Sequence, residues 1–570
     1  MSNPPQSRPV LNHVLTNGIV RTSDAALTDG DTVIVRDGRI DWVGKSTDAP
    51  DWGELPVVDL GGKTIIPGII DAHSHPGLVA MSRWHVALPR TEDLDELLAF
   101  IREYGQLHPK EEWPYLYFEY YSPTIFGEGG PTKELLDRAI SDRPVLCQDA
   151  GDHACWVNTR MLEMLGIDQA TPDPEPAGLE RFVRSASGEP TGLVLENAHV
   201  PRLPVMYKAL GWSPPEDPTP ETITPVLEFL SSKGVVAVFD ALIESPEVVD
   251  AMVEIDRRGD LPMHYEGAIR FRSMADLPDA LNMVRRLDAK RVSERTRVRT
   301  VKLFLDGTNE LGSSAVLEPL LSDDNSGELG AIQMETDELV GCLELCNRAG
   351  IDLHIHMVGD RAFRTGCDAV EQALRSPERA DHPWSIQVTF AHCELIDPSD
   401  MGRPAELGII LNWTNHWSGG YFGDEAIHHL GEARWNRMYD FNVVADAGAV
   451  LTFSSDVVSS AELHRADPFF GMQVAATRVD PETPLDSSRW PAAVRPRADS
   501  VLDIDRLLLG YTAHAALQLR IAHEFGTISP GKPAHLVVLD RDPFSTPSSE
   551  LAQITPTAVV FEGRVVSGAL

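Results

Sequence analysis

The chain has 570 residues, 42% of them hydrophobic, and a formal net charge of −37. That length accommodates one large α/β barrel (~250 residues or more) with additions, and the charge argues against nucleic acid or an anionic membrane as partner. No charged-then-apolar leader or membrane-length apolar run is present, and the six cysteines form no Cys-x-x-Cys pattern, so a soluble cytoplasmic protein is expected.

Residues 10–60 alternate short β runs with turns, as in Val33-Ile34-Val35 and Val57-Val58-Asp59-Leu60, and residues 534–566 resume that style. A small composite β-sandwich domain is expected from residues 1–63 and 521–570. Between them, eight apolar strand-like runs alternate with helical patterns: 64–75, 235–240, 264–270, 298–305, 351–356, 385–392, 408–412 and 450–456. Helices are predicted at 278–287, 336–349 and 361–374. Eight β/α units predict a TIM-type (β/α)8 barrel over 64–520, with function at the strand ends. Residues 76–224, between the first two strands, carry strand-like pieces of their own at 115–121, 144–150 and 192–196. They predict an inserted subdomain over the barrel mouth that shapes a substrate pocket.

The first strand ends in His73-Ser74-His75, two imidazoles on one face that can grip a divalent metal ion. Lys302 is one of only nine lysines and stands inside an apolar strand, Val301-Lys302-Leu303-Phe304-Leu305. A charged lysine is costly to bury there. It is either paired with an interior carboxylate or carboxylated by carbon dioxide, an anion able to bridge two metals. His356 ends the fifth strand, His392 the sixth and Asp456 the eighth. His354 lies one step deeper and reads as a packed histidine near the ligands. Cys342 and Cys346 share a helix face and read as core thiols. His13, His428 and His429 read as surface residues.

These residues resemble the amidohydrolase superfamily, in its YtcJ-like branch that includes N-substituted formamide deformylases. The resemblance runs through Pro67-Gly68-Ile69-Ile70-Asp71-Ala72-His73-Ser74-His75, Asp152-His153-Ala154-Cys155-Trp156, Gly188-Glu189-Pro190-Thr191-Gly192, Val301 to Gly307, His356 to Ala362 and Gly526 to Asp540. It implies that His73 and His75 bind one metal, that carboxylated Lys302 bridges, and that His356 and His392 bind a second. Asp456 is then ligand and proton carrier, with His392 and His153 next in line for that role. The metal expected is zinc, as one ion or two. His153 and Trp156 are expected to line the pocket, as are Glu196 and Asp360. Trp413, His416, Trp417 and Tyr421 are expected either to hold an apolar or aromatic substrate or to pack against the insertion.

The expected reaction is hydrolysis of an amide, formamide or carbamate-like C–N bond in a small molecule. Deamination, a decarboxylation or isomerisation on the same scaffold, and a catalytically silent ligand-binding relative stay open. The expected partner is that small molecule, with no nucleic acid and no membrane; a homodimer is left open.

Overall fold

The computed structural model describes residues 9–91, 93–126, 130–215, 217–322, 327–419, 421–482 and 500–570. Eight strands form one sheet in chain order: Ile69–Ser74, Val235–Asp240, His264–Arg270, Thr296–Phe304, Asp352–Met357, Val388–His392, Ile410–Thr414 and Val450–Ser454. Every pairing between neighbours is parallel. Strands such as Val235–Asp240 are buried along their whole length, because helices cover the outer face and side chains fill the inside. The helix Leu277–Asp288 shows how a cover forms: Leu277, Ala280, Leu281, Val284 and Leu287 make one buried stripe at helical spacing. The fold is the TIM-type barrel expected.

The first and last strands meet at a seam held by individual bonds rather than by a regular ladder. Asp456 N–H donates to His73 O (2.8 Å) and His75 N–H donates to Val457 O (3.2 Å). Asp71 accepts from the Ser455 backbone N–H (3.0 Å) and hydroxyl (2.6 Å). Deeper in, Gln518 Nε2 donates to Ala72 O (2.8 Å) and its Oε1 accepts from Thr452 (2.5 Å). The seam therefore fixes the backbone that carries His73, His75 and Asp456.

The apolar run expected as one strand over 64–75 is two. Thr64–Pro67 pairs antiparallel with Leu536–Leu539, outside the barrel, and Ile69–Ser74 is the first barrel strand. The break is at Gly68, where a Cβ would lie 2.2 Å from Val236 Cγ2, so no larger residue can make the crossing. His75 lies past the strand, at the N-cap of the helix Pro76–Met81.

Strands from both chain ends make two further sheets. One holds His13–Thr16, Thr32–Arg36, Arg39–Gly44 and Val57–Asp59; the other joins Ile19–Val20 and Thr64–Pro67 to Leu536–Leu539, Pro556–Phe561 and Arg564–Gly568. Leu15, Val33, Val35, Ile65, Leu536 and Val560 form one apolar cluster between them. Between barrel strands one and two lies a sheet of six strands, in the order Arg181–Arg184, Pro190–Leu195, Ala154–Val157, Val145–Asp149, Leu116–Tyr121 and Val86–Ala87. Among the described residues no helix is long and apolar enough to cross a membrane.

Candidate metal centre

The strand ends bring the expected residues together at the barrel mouth. His73, His392 and Asp456 each offer a ligand atom, all within 4.8 Å of one another and all buried. Asp456 Oδ1 lies 2.9 Å from His75 Nε2 and 3.4 Å from His73 Nε2, and its Oδ2 lies 3.5 Å from His392 Nδ1. The His356 ring stands 4.4 Å from that of His392. Two ring nitrogens, His75 Nδ1 and His392 Nδ1, are buried without a hydrogen-bond partner. Buried polar atoms are rarely left so. Imidazoles and a carboxylate with unfilled donor atoms suit a divalent ion.

Electrostatics agree with that use. Burial first, and then the charge of Lys302 or neighbouring imidazoles, holds His73, His356 and His392 well below the usual histidine range. They are neutral, the form that donates a lone pair to a metal. Lys302 is fully buried and points into the same cavity. Among the described residues no carboxylate lies within 4.0 Å of it, so the expected alternative of an ion-paired lysine is not what is found. Its Nζ stands 4.9 Å from the Phe304 ring centre, and burial brings the amine down to about 7.

The backbone is strained where it presents these groups. His392 has φ 73°, Asp456 φ 51° and Glu196 φ 53°, a left-handed region that non-glycine residues rarely occupy. Each costs on the order of 1–3 kcal/mol and persists only where surrounding structure demands it.

A cavity of about 570 Å³ opens above the centre, walled by barrel and insertion together. His153 and Glu196 enter it from the insertion, with His153 Nδ1 2.7 Å from Glu196 Oε2. Glu196 is anchored in turn by the Ser313 hydroxyl and by Thr308 N–H (3.2 Å). Gly307 makes room for this: a Cβ there would meet Glu196 Oε1 at 2.4 Å. Burial opposes a charge on His153, but Glu196, Glu310 and Asp149 outweigh it and raise the imidazole to about 10. That direction favours the cation, a donor, over the proton-accepting form of His153.

Other expected pocket residues lie elsewhere. Trp156 is sealed in the insertion's core, its indole N–H on Thr132 O (2.7 Å), because its strand turns that face toward Tyr121 and Phe126. Trp413 is in the barrel core, with its N–H on Cys393 O (3.2 Å). His416 is buried and Asp360 accepts from Leu317 N–H (2.8 Å); neither lines the cavity. Trp417 does line it, stacked 5.2 Å from the His392 ring. The Tyr421 side chain lies outside the described residues. The histidine read as packed, His354, has its Nε2 3.1 Å from His73 Nδ1 and orients that ring. All six cysteines are free and buried.

Three groups escaped the sequence reading. Asp240 ends the second strand, 3.9 Å from His75 Nδ1 and hydrogen-bonded by Tyr265 (2.9 Å). An aspartate ending an apolar strand is the same signal that marks Asp456. Arg270, at the end of the third strand, lines the cavity over the Phe304 ring (4.5 Å). Asp71 braces the seam, and its partner Ser455 is too distant in sequence to be foreseen.

A family model described as "Amidohydrolase family" matches residues 56–567. The chain belongs to the amidohydrolase family. That membership places it among hydrolases. It is similar to the N-substituted formamide deformylase of Arthrobacter pascens, 27% identical over 96% of this chain and 97% of that one. It is also similar to the putative amidohydrolase YtcJ of Bacillus subtilis (strain 168), 25% identical over 90% of each chain. Among solved structures, an uncharacterized metal-dependent hydrolase from Pyrococcus horikoshii OT3 shares the fold, with TM-score 0.67 and 22% identity over 94% of this chain and 99% of that one.

Proposed function

We propose that this protein hydrolyses a C–N bond, in an amide, formamide or carbamate-like group of a small molecule, at a divalent metal centre. The observation that carries the reading is the convergence of His73, His392 and Asp456, with unpartnered ring nitrogens, at the floor of a cavity walled by barrel and insertion. His73, His75, Lys302 as its carboxylated form, His356, His392 and Asp456 would hold one or two ions, zinc being the metal these donors suit. The metal when bound supplies a Lewis acid that acidifies a water and polarises a carbonyl oxygen.

The chain's own residues do the rest. Asp456 accepts a proton from the attacking water and returns it to the departing nitrogen. His153, charged and clamped at Nδ1 by Glu196, directs its other N–H into the cavity and steadies the developing negative charge on the carbonyl oxygen. The insertion wall and Trp417 keep bulk water away, which strengthens both interactions. The similarity to a formamide deformylase supports a formyl or other small acyl group on nitrogen as the first substrates to try.

Metal analysis of the purified protein, followed by a panel of N-substituted formamides, amides, carbamates and esters, tests this reading. Bound metal with turnover on a C–N substrate is expected. Bound metal without turnover on any member of the panel contradicts it.

A further inference from the structure

Part of the cavity wall, contributed by the insertion and the turn leading into it, has a chemistry of its own. The His85 ring stacks on Tyr117 (3.8 Å between centres, 9°), and Trp84 meets Tyr117 edge-on at 5.8 Å. Tyr117 O–H donates to Gln148 Oε1 (3.0 Å), and the Cys155 thiol donates to the same oxygen (2.9 Å). His199 Nε2 is 3.9 Å from that thiol. Trp84, His85, Tyr117, Gln148, His199 and Tyr207 all line the cavity. None of them is among the candidate metal ligands.

Two polar atoms in this wall have nothing to bind. Gln148 is 4% exposed and His199 2%, yet Gln148 Nε2 and His199 Nδ1 have no hydrogen-bond partner. The two bonds already taken by Gln148 Oε1 fix the amide so that its donor side is the unfilled one. Burial holds His199 at about 4, so it is neutral. Aromatic faces beside buried, uncharged, unsatisfied polar groups describe a site for a flat ligand that accepts a hydrogen bond.

We propose that this wall is the subsite for the distal group of the substrate, an uncharged aromatic ring bearing a hydrogen-bond acceptor, held by stacking on Trp84 and Tyr117 and by an N–H···acceptor bond from Gln148. The proposal rests on the reading of the metal centre as the place where the C–N bond is cut, which fixes the reacting end of the ligand.

The test uses a matched pair: N-phenethylformamide and its pyridyl counterpart, at about pH 8, where the pyridine is neutral and differs by one acceptor. Turnover is measured on the metal-loaded protein. Binding is measured by calorimetry with the corresponding methanesulfonamides, which are not hydrolysed. The pyridyl ligand is expected to bind about tenfold tighter, the worth of one good hydrogen bond. Gln148→Met should reduce that preference to within about twofold; the ratio is read between the two ligands on the same variant, so that any change in the wall common to both, from the lost Tyr117 and Cys155 bonds, cancels. Equal affinity of the pair for the wild-type protein overturns the proposal, and needs no variant to fold. An undiminished preference in Gln148→Met overturns it too. A retained pyridyl preference without turnover of either formamide supports the subsite and removes the hydrolase reading instead.

Discussion

Lys302 shows how much a single side chain can say. A fully buried amine with no carboxylate within 4.0 Å among the described residues, held near 7 by its burial, keeps a large uncharged fraction, and that fraction is the form that adds carbon dioxide. Carbon-13 NMR of protein loaded in labelled bicarbonate should show a carbamate resonance that Lys302→Ala lacks. Lys302→Ala should also lose metal and activity, with partial recovery in short carboxylic acids; a fully active alanine variant would refute the bridging role. Asp456→Asn keeps shape but cannot take a proton. It should retain most of its metal and lose at least ~100-fold in turnover. Near-normal turnover would move the proton to another group. The His153–Glu196 pair makes a prediction with a sign. A histidine raised to about 10 from 6.5 stabilises the fold in full below about 6.5, and that contribution is lost as pH rises through about 10. Activity that needs the cation should show an alkaline limb there. Glu196→Gln removes the strongest support for the charge, so the limb should move toward neutral pH; a limb that stays in place would exclude His153. The six candidate ligands could be picked out because five stand at or just past the ends of apolar strands and Lys302 is a scarce lysine inside one. Gln148 and His199 could not, since ordinary polar residues in an insertion acquire meaning only when burial leaves them unpartnered.

At the scale of elements, the barrel's strand order was readable because parallel strands buried on both faces are continuous apolar runs. Their ends were less so, since boundaries depend on hydrogen bonds made by neighbours. The run over 64–75 looks continuous in sequence, and only the approach of Val236 to Gly68 reveals the break. Trp156 was misplaced for a related reason: the strand Ala154–Val157 has four buried residues, and alternation alone cannot tell which face meets the cavity. The seam between strands one and eight depends on Gln518, which fills both Ala72 O and Thr452 Oγ1. Gln518→Leu removes the side-chain donor to Ala72 O and one partner of Thr452 Oγ1, which keeps its bonds with Asn412 Nδ2 (3.0 Å) and Leu411 O (3.3 Å). It should cost about 2 kcal/mol in a denaturant titration and loosen metal retention, because the seam carries His73, His75 and Asp456. Unchanged stability would mean that the backbone bonds at the mouth close the barrel unaided.

At the scale of the whole molecule, chain ends remote in sequence share one apolar cluster, a pairing suggested by the common style of short strands at both ends. The insertion's sheet was only half visible: Ala154–Val157 and Arg181–Arg184 are short, and the loops joining them obscure their alternation. A net charge of −37 repels itself across the surface. Salt shortens the reach of that repulsion, to about 3 Å at 1 M. The thermal midpoint should therefore rise on adding sodium chloride; a fall would mean that attractive surface pairs outweigh the excess charge. The central claim is that the barrel mouth is a metal centre, and anomalous scattering tests it most directly. Crystals of the purified protein, measured at the absorption edge of the metal it carries, should give a peak among His73, His392 and Asp456, in contact with the density of Lys302. A strong peak elsewhere, with clear protein density and no peak at the mouth, would contradict the account.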